Sequence, residues 1–428
     1  MSDKTWQTQL HSLDAIRLQI TICTMYIKRE KAPVVLKEVL GAVVVVTKKA
    51  MKAFSLFAVL SVQWFSPFVS AAVLPEDRAD VLYHRFDGGD VVIDGPSILI
   101  RKSIKDTVSI SANYYVDNIT SASIDVVTTA SAYTEQRVEN SMSVEYLRDK
   151  TILSVSYGQS EENDYSARTA SFNFSQDFFG DLTTISAGYS QGWDVVGKRG
   201  EEDFAEDVAR KQFRFGLSQV ITKNSLVGIS WETVTDAGYL NNPYRSVRYL
   251  DATTATGYSY QSELYPETRT SDAFAIRAMY YLPYRAAIKA DARIFGDTWG
   301  IRAKNMELSY THPYGDHWIF DVKIRRYQQT KADFYSDLFS RIDAQNFLAR
   351  DKEMSTFSND SFGLGVSYEH ELNDWGPFDR VSLNLVVDYI QFDFEDFRDL
   401  RVQTTTPGLE PLYNFDATVT RAFFSIWY

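Results

Sequence analysis

The chain ends on Phe415-Asp-Ala-Thr-Val-Thr-Arg-Ala-Phe-Phe-Ser-Ile-Trp-Tyr428. Counting back in twos, Tyr428, Ile426, Phe424, Ala422 and Thr420 share one face, and Trp427, Ser425, Phe423 and Arg421 share the other. Successive side chains of a strand point to opposite sides, so this is a strand with one oily and one mixed face.

The same period of two runs upstream from Ala79, with no convincing amphipathic helix. Val108, Ile110, Ala112, Tyr114 and Val116 alternate with Ser109, Ser111, Asn113 and Tyr115. Met142, Val144 and Tyr146 lead through the two-residue turn Asp149-Lys150 into Leu153, Val155 and Tyr157, an antiparallel hairpin. Trp318, Phe320, Val322 and Ile324 oppose Asp321, Lys323 and Arg325, and Val381, Leu383, Leu385, Val387 and Tyr389 oppose Ser382, Asn384 and Asp388. Strands of a soluble sandwich run to about five or six residues. These run to roughly ten or twelve, the length a tilted strand needs to cross a bilayer. Inside a bilayer an open sheet edge leaves backbone groups unpaired, so such strands must close on themselves.

Connections alternate in length, as they do in membrane barrels. Short links are read at 105–106, 149–150, 177–181, 221–224, 282–285, 312–316 and 369–378. Longer ones are read at 87–96, 118–136, 160–166, 193–209, 235–269, 328–356 and 393–414, with 297–299 short where a long link is expected. The expectation is an all-β, transmembrane, antiparallel up-and-down barrel of about 16 strands with both termini on the short-turn side. About 14 strands is the alternative, because the Gly88-Gly89 region also reads as a plug or a frayed edge.

The composition agrees with a barrel. Mean hydropathy is −0.25, but an alternating barrel hides its apolar band, so the bulk value carries little. The 14% of aromatic residues suits strands and membrane interfaces. A net charge of −12 speaks against nucleic acid as a partner. The single cysteine, Cys23, excludes an intrachain disulfide or a Cys-rich metal site.

Residues 1–50 differ in character from the rest of the chain. Lys48, Lys49 and Lys52 precede the apolar run Ala53–Val62, and Val69-Ser70-Ala71 supplies small residues for cleavage, so 51–71 reads as a secretory signal peptide starting at Met51. Residues 1–50 are then a non-native N-terminal extension from a misplaced start, and 72–428 the mature barrel, with no lipobox cysteine. The alternative, a cytoplasmic anchor over Val34–Val46, is short for a spanning helix and carries Lys37 and Glu38.

The aromatic terminus resembles the C-terminal assembly signal of bacterial outer-membrane barrels, which implies that Phe424, Ile426 and Tyr428 are read by the barrel-insertion machinery. Stretches spread over the mature chain also resemble a widespread Gram-negative family of predicted outer-membrane β-barrels of unknown function. They are 123–137, Gln176-Asp-Phe-Phe-Gly180, 238–245, Asp297-Thr-Trp-Gly300 and Ala332-Asp-Phe-Tyr335. The resemblance implies the bacterial outer membrane and its lipids as surroundings, and no established activity. Residues 1–50 have no counterpart in it.

Outer-membrane enzymes of the phospholipase and omptin types need a histidine near the outer rim. His11 precedes the signal, and His312, His317 and His370 fall at inferred periplasmic turns, which leaves His84 with Asp87 and Asp90. The chain is therefore read as a non-enzyme, with an outer-membrane hydrolase as the alternative. Acidic runs at 161–164, 201–207 and 393–396 lack calcium-loop spacing and read as solvated. No metal and no cofactor is expected.

Two groups of residues are candidates for function. Tyr239, Tyr244, Arg245, Arg248 and Tyr249 sit in the longest link and combine cations with aromatics, as a constriction or ligand site would; a loop packed into the lumen uses the same residues. Lys289, Asp291, Arg293, Asp321, Lys323 and Arg325 are the lumen-lining candidates, with Arg214, Glu232, Arg277, Glu307, Asp388 and Arg421 beside them. Both signs are present, which either sets a field across a pore or neutralises itself. The leading expectation is a porin-like channel for small polar solutes. The alternative is a non-conducting barrel, closed by residues 235–269, that anchors a periplasmic or surface partner.

Overall fold

The computed structural model describes residues 73–120, 134–372, 375–402 and 404–428. The expected extension and signal peptide, Cys23 and residues 123–133 of the family-like stretch lie outside the described residues. The first strands are β1 (Arg78–Gly88), β2 (Val91–Ile104), β3 (Val108–Thr120), β4 (Thr134–Arg148), β5 (Thr151–Glu162) and β6 (Tyr165–Phe178). They continue as β7 (Thr183–Lys198), β8 (Glu201–Thr222), β9 (Ser225–Gly238), β10 (Ser246–Leu250), β11 (Tyr258–Ser262) and β12 (Thr268–Tyr281). The last are β13 (Ala287–Asp297), β14 (Arg302–Tyr314), β15 (Trp318–Gln329), β16 (Phe357–Glu371), β17 (Arg380–Arg398) and β18 (Leu412–Trp427).

Sixteen of them close into one antiparallel barrel, β1 to β9 followed by β12 to β18, while β10 and β11 pair separately inside the link after β9. The aromatic C-terminal strand is the closing stave. β18 pairs with β1 from Trp427 opposite Arg78 to Ala417 opposite Gly88. Most inward neighbours of the outward apolar residues are polar or small, because alternate side chains of a strand take opposite faces. Val81, Ile98, Met142, Val155, Phe215, Ile276, Ile294, Met306, Ile324 and Leu383 all stand exposed on the outside. A contiguous apolar surface of this size is stable only against another apolar phase, which is the hydrocarbon belt of a spanning barrel.

Both ends of the barrel chain lie on one side, with seven links; the other eight, which include the longest, lie opposite, at what we call the loop end. Three links expected to be long are two-residue turns: 89–90, 163–164 and 199–200. Gly89 and Asp90 both take positive φ (59° and 65°), the primed turn that matches strand twist, so the Gly88-Gly89 region is a hairpin tip and the fourteen-strand alternative falls away. The acidic run beginning at Glu201 is not a loop: it lies on β8, whose ladder with β7 continues past the belt to water, where charged side chains are at home.

Three long described links remain at the loop end, 239–267, 330–356 and 399–411. They fold against each other with their own apolar cores. Tyr265, Trp299, Ile301, Phe334 and Tyr335 form one, and Val247, Phe339 and Leu348 another. Trp299 stands edge-on to Tyr265 and Phe334 at ring distances of 5.4 and 5.3 Å. The short turn around Asp297-Trp299 is thereby used as an anchor: Asp297 accepts from the backbone of Trp299 (3.0 Å) and Ile301 (2.9 Å).

Candidate functional site

Inside the barrel the two halves of the wall differ. Along β4 to β7 the inward positions are Ser141 and Ser143, Ser154 and Ser156, Thr169 and Ser171, Ser186 and Gly188. Small side chains leave room, and a concavity of about 320 Å³ lies against Ser111, Ser141, Ser143, Ser156 and Ser171. β5 and β15 stand eight staves apart in the sixteen-stave ring, so the facing wall is built by β12 to β17. That wall carries the charges.

There the candidates from the sequence meet as ion pairs. Arg277 reaches Asp291 at 2.9 Å, Arg293 reaches Glu232 at 2.9 Å, and Arg214 reaches the other oxygen of Glu232 at 2.9 Å. Arg325 donates through Nε to Asn305 at 2.5 Å, and Thr311 donates to Asp321. Lys289 lies on the same inward row of β13. Two cations flank two carboxylates across one row of the sheet, Arg277 opposite Asp291, Asp291 opposite Glu307, and Glu307 opposite Arg325. The side chains of Arg214, Arg277 and Arg293 are 41%, 40% and 42% exposed although they point inward, so water reaches them inside the barrel.

One pair crosses a strand. Lys323 on β15 meets Asp388 on β17 at 2.7 Å, and Arg421 on β18 pairs with the same carboxylate. β16 lies between them and presents Gly363, where a Cβ would sit 2.2 Å from Asp388 Oδ1 and 2.5 Å from Lys323 Cε. Sequence reading passed over this glycine. The available signal was its inward phase in Phe362-Gly363-Leu364-Gly365, two gaps on a face where neighbouring strands carry long charged side chains.

At the loop end the five candidates of the longest link go to separate places. Arg248 is fully buried. Its Nη1 and Nη2 donate to Glu410 at 2.7 and 3.0 Å, its Nε donates to the Asp337 carbonyl at 2.9 Å, and it pairs with the Asp337 carboxylate. Burial works against its charge, but Glu410 and Asp337 hold the guanidinium above its ordinary pKa. Burial alone would raise the Glu410 carboxyl; Arg248 overrides it and holds Glu410 below the usual range. Arg350 adds a second cation on Asp337 at 2.9 Å and lies 4.6 Å over the Phe397 ring. One arginine thus joins links 239–267, 330–356 and 399–411.

Arg245 pairs with Asp351. Tyr249 bridges to Phe339 and packs on the Val247 core. Tyr239 meets Phe204 edge-on at 5.4 Å beside Val196 and Val208. The Tyr244 hydroxyl donates to the Asp164 carboxylate and accepts from the Arg199 backbone at 2.6 Å, so it latches this link to the tips of β5–β6 and β7–β8. Burial pushes the Asp164 carboxyl up to about 6, against the opposing pull of Arg199.

His84 points inward and does not meet Asp87 or Asp90. Asp87 pairs with Arg85 at 2.8 Å and Asp90 with Arg401. His84 instead lies 2.7 Å from Asp117 through Nε2 and stacks on Tyr115 at 4.9 Å, while Tyr115 donates to Asp117 at 2.9 Å. Parity on β3 would have given this trio, since 115 and 117 share the inward face. At the opposite end, His317 and His370 rings are 5.5 Å apart and His312 meets the Tyr310 hydroxyl at 2.8 Å. Among the described residues no group of three or more His, Cys, Asp and Glu is placed to hold a metal ion.

A family model described as "Protein of unknown function (DUF3570)" matches residues 128–214 and 205–395. No curated protein matches. Among solved structures, the chain is similar to the Pseudomonas aeruginosa siderophore receptor PirA, at 9% identity and TM-score 0.39 over 83% of this chain and 63% of that one, so it spans under two thirds of that receptor. It is also similar to a bacterial polysaccharide outer membrane secretin, at 9% identity and TM-score 0.44 over 82% of this chain and 98% of that one. A third is Pseudomonas aeruginosa OpdK solved with vanillate, at 9% identity and TM-score 0.39 over 83% and 100%.

Proposed function

We propose that this chain, which belongs to the DUF3570 family, is an outer-membrane channel for small polar solutes. One observation carries the reading: inward arginines on β8, β12 and β13 keep about two fifths of their side-chain surface in water while paired to carboxylates. A lumen filled by a packed plug buries such groups, and burying them costs several kcal/mol per ion, of order 3 or more. The serine-rich wall opposite is polar and built of small side chains, with Glu139 at the edge of its concavity. The row of two cations and two carboxylates neutralises itself, so weak ion selectivity is expected in place of the strong preference of a one-sign ring. The apolar belt supports the placement in a membrane, and closure of all sixteen staves supports the outer membrane, where barrels replace helices as spanning elements.

The second reading is the non-conducting barrel that anchors a periplasmic or surface partner. The buried Arg248, which ties three links into a fixed cap, is the observation in its favour. Single-channel current through refolded residues 72–428 in a planar bilayer separates the two. Discrete steps with weak selectivity are expected; silence from a barrel that shows heat-modifiable gel migration overturns the channel and leaves the anchor. No hydrolytic step is assigned to His84, whose polar neighbours are the Asp117 carboxylate and the Tyr115 hydroxyl.

A further inference from the structure

The outer surface of the barrel is not evenly polar where the belt ends. On β12 to β17 a shallow groove of about 640 Å³ runs over the outside of the sheet. Its floor is low because Ala278 and Ala290 are opposite one another, with Ala292 beside them, and its sides are Met306, Leu308 and Phe362. In-register pairing continues one row from Ala290 through Leu308, Ile324 and Phe362 to Tyr389, apolar from end to end. The next row towards the loop end starts apolar at Ile276, Ala292 and Met306 and then turns polar at Arg326, Asp360 and Gln391. The belt edge therefore steps across the strands, as it must on tilted staves.

Cations gather on that edge. Lys304 and Arg302 are exposed on the outward face of β14, two residues apart, and neither has an ion pair among the described residues. Arg326 sits one strand over, opposite Met306, and pairs at 2.7 Å with Asp360, both more than half exposed. An exposed pair of this kind is weak and leaves guanidinium donors free. On β1 the charge is cancelled: outward Arg85 is held between Asp87 and Asp94 at 2.8 and 3.3 Å. Three cations over an apolar groove, with one carboxylate among them, form a surface with a lipid's own division into anionic head and acyl tail. Arginine also matches phosphate oxygens with a fork of donors.

We infer that this face of β12–β16 seats one phosphate-bearing, multiply acylated lipid of the leaflet at the loop end, its phosphate against Arg302, Lys304 and Arg326 and its chains along the groove. Ordinary snorkelling of basic residues at a membrane interface predicts no preference among anionic lipids and no role for the alanine floor. The inference rests on the membrane placement and not on whether the lumen conducts, so a silent bilayer recording leaves it standing.

The test is native mass spectrometry of the folded full chain titrated with bisphosphorylated lipid A or with phosphatidylglycerol in mixed micelles. One lipid A is expected to be retained at about tenfold lower concentration than the singly charged anionic lipid. Arg302→Gln/Lys304→Gln/Arg326→Gln should abolish the preference, Lys304→Gln alone should weaken it, and Ala290→Trp, which fills the floor, should lower retention of lipid A with all cations present. Arg85→Gln should change nothing. Heat-modifiable migration checks that each variant is folded. Unchanged lipid A retention in the triple variant overturns the inference. So does full displacement by inorganic pyrophosphate, which would make the site a phosphate site without a groove.

Discussion

Lys323 and Asp388 meet at 2.7 Å although a whole strand separates them, because the residue between is Gly363. The pair sits on the lumen wall with Asp388 nearly buried and Lys323 about one fifth exposed. Removing one partner leaves a poorly hydrated charge, which costs up to about 3 to 5 kcal/mol in a dry interior and less beside water. Gly363→Ala places a methyl group 2.2 Å from Asp388 Oδ1, so one of the two long side chains must move. The expected outcome is a folded barrel whose heat-modifiable transition falls in temperature. Asp388→Asn should do the same and, by freeing Lys323 and Arg421, shift the reversal potential in a salt gradient towards anions. An unchanged transition in both variants would show the crossing pair to be idle.

The cap depends on one buried cation. Arg248→Met keeps the length and loses the charge, leaving Glu410 and the Asp337 carboxylate without their shared cation. Arg350 still holds Asp337, but stranding the buried Glu410 carboxylate costs about 3 to 5 kcal/mol, enough to undock links that hold by small apolar cores. Protease sites within 239–267 and 330–356 should open while the barrel band still migrates as folded. Channel current, where present, should become larger or noisier. Full protease resistance would mean that the Trp299 cluster holds the cap unaided.

Acid should release the same cap. Arg248 depresses the Glu410 pKa in the folded state, so this carboxylate contributes stability that is complete above its unfolded value near 4.5 and is lost as pH falls through the lower folded value. Protease sensitivity of the link 399–411 should therefore rise only once pH has fallen below 4.5 in the wild type. In Arg248→Met it should be high at neutral pH as well.

How much of this was legible from residues alone depends on what each feature needed. The barrel, its strand phase and the lumen-facing charges followed from parity, because facing alternates along a strand. Link lengths were harder. Charged residues at 201–203 read as loop, yet a ladder that continues into water bears charge on both faces, so polarity marks the end of the belt and not of the strand. The roles of Arg245 and Arg248 were beyond reach, since their partners Asp351, Asp337 and Glu410 lie about 90 to 160 residues away and no periodicity links them. Gly363 fell between these cases: its phase was readable, but its purpose appears only once Lys323 and Asp388 are seen to cross it.

Asp164 sets the opposite pH dependence. Its folded pKa, about 6, lies above the ordinary 3.8 because the Tyr244 latch buries it. Between those values the latched state holds the proton and the free state does not, so latching is favoured at low pH and weakens as pH rises to about 6, then stays level. The protection factor of the Arg199 amide, which donates to this cluster, should fall over that window. Asp164→Asn should make it high and flat with pH. A wild-type profile without a step between pH 4 and 6 would mean that the latch does not feel the proton.

The C-terminal aromatic allows a structural role to be separated from an assembly role. Tyr428 donates its hydroxyl to the Arg101 carbonyl at 2.9 Å, lies under the Lys102 ammonium at 4.7 Å, and gives its backbone N–H to Asp77 at 3.3 Å. Deleting it removes two hydrogen bonds and one exposed cation–π contact, roughly 2 to 4 kcal/mol. The seam itself, paired from Arg78 to Gly88 against β18, remains. A barrel refolded in detergent should therefore lose only a few degrees of thermal stability. If Phe424, Ile426 and Tyr428 are read by the insertion machinery, the amount of folded protein in the membrane of expressing cells should fall far more than that loss explains. Tyr428→Phe keeps the ring and drops the hydroxyl bond, so it should restore insertion without restoring all of the stability. Equal losses in both measurements, for the deletion and for Tyr428→Phe alike, would reduce this residue to a clasp on the seam.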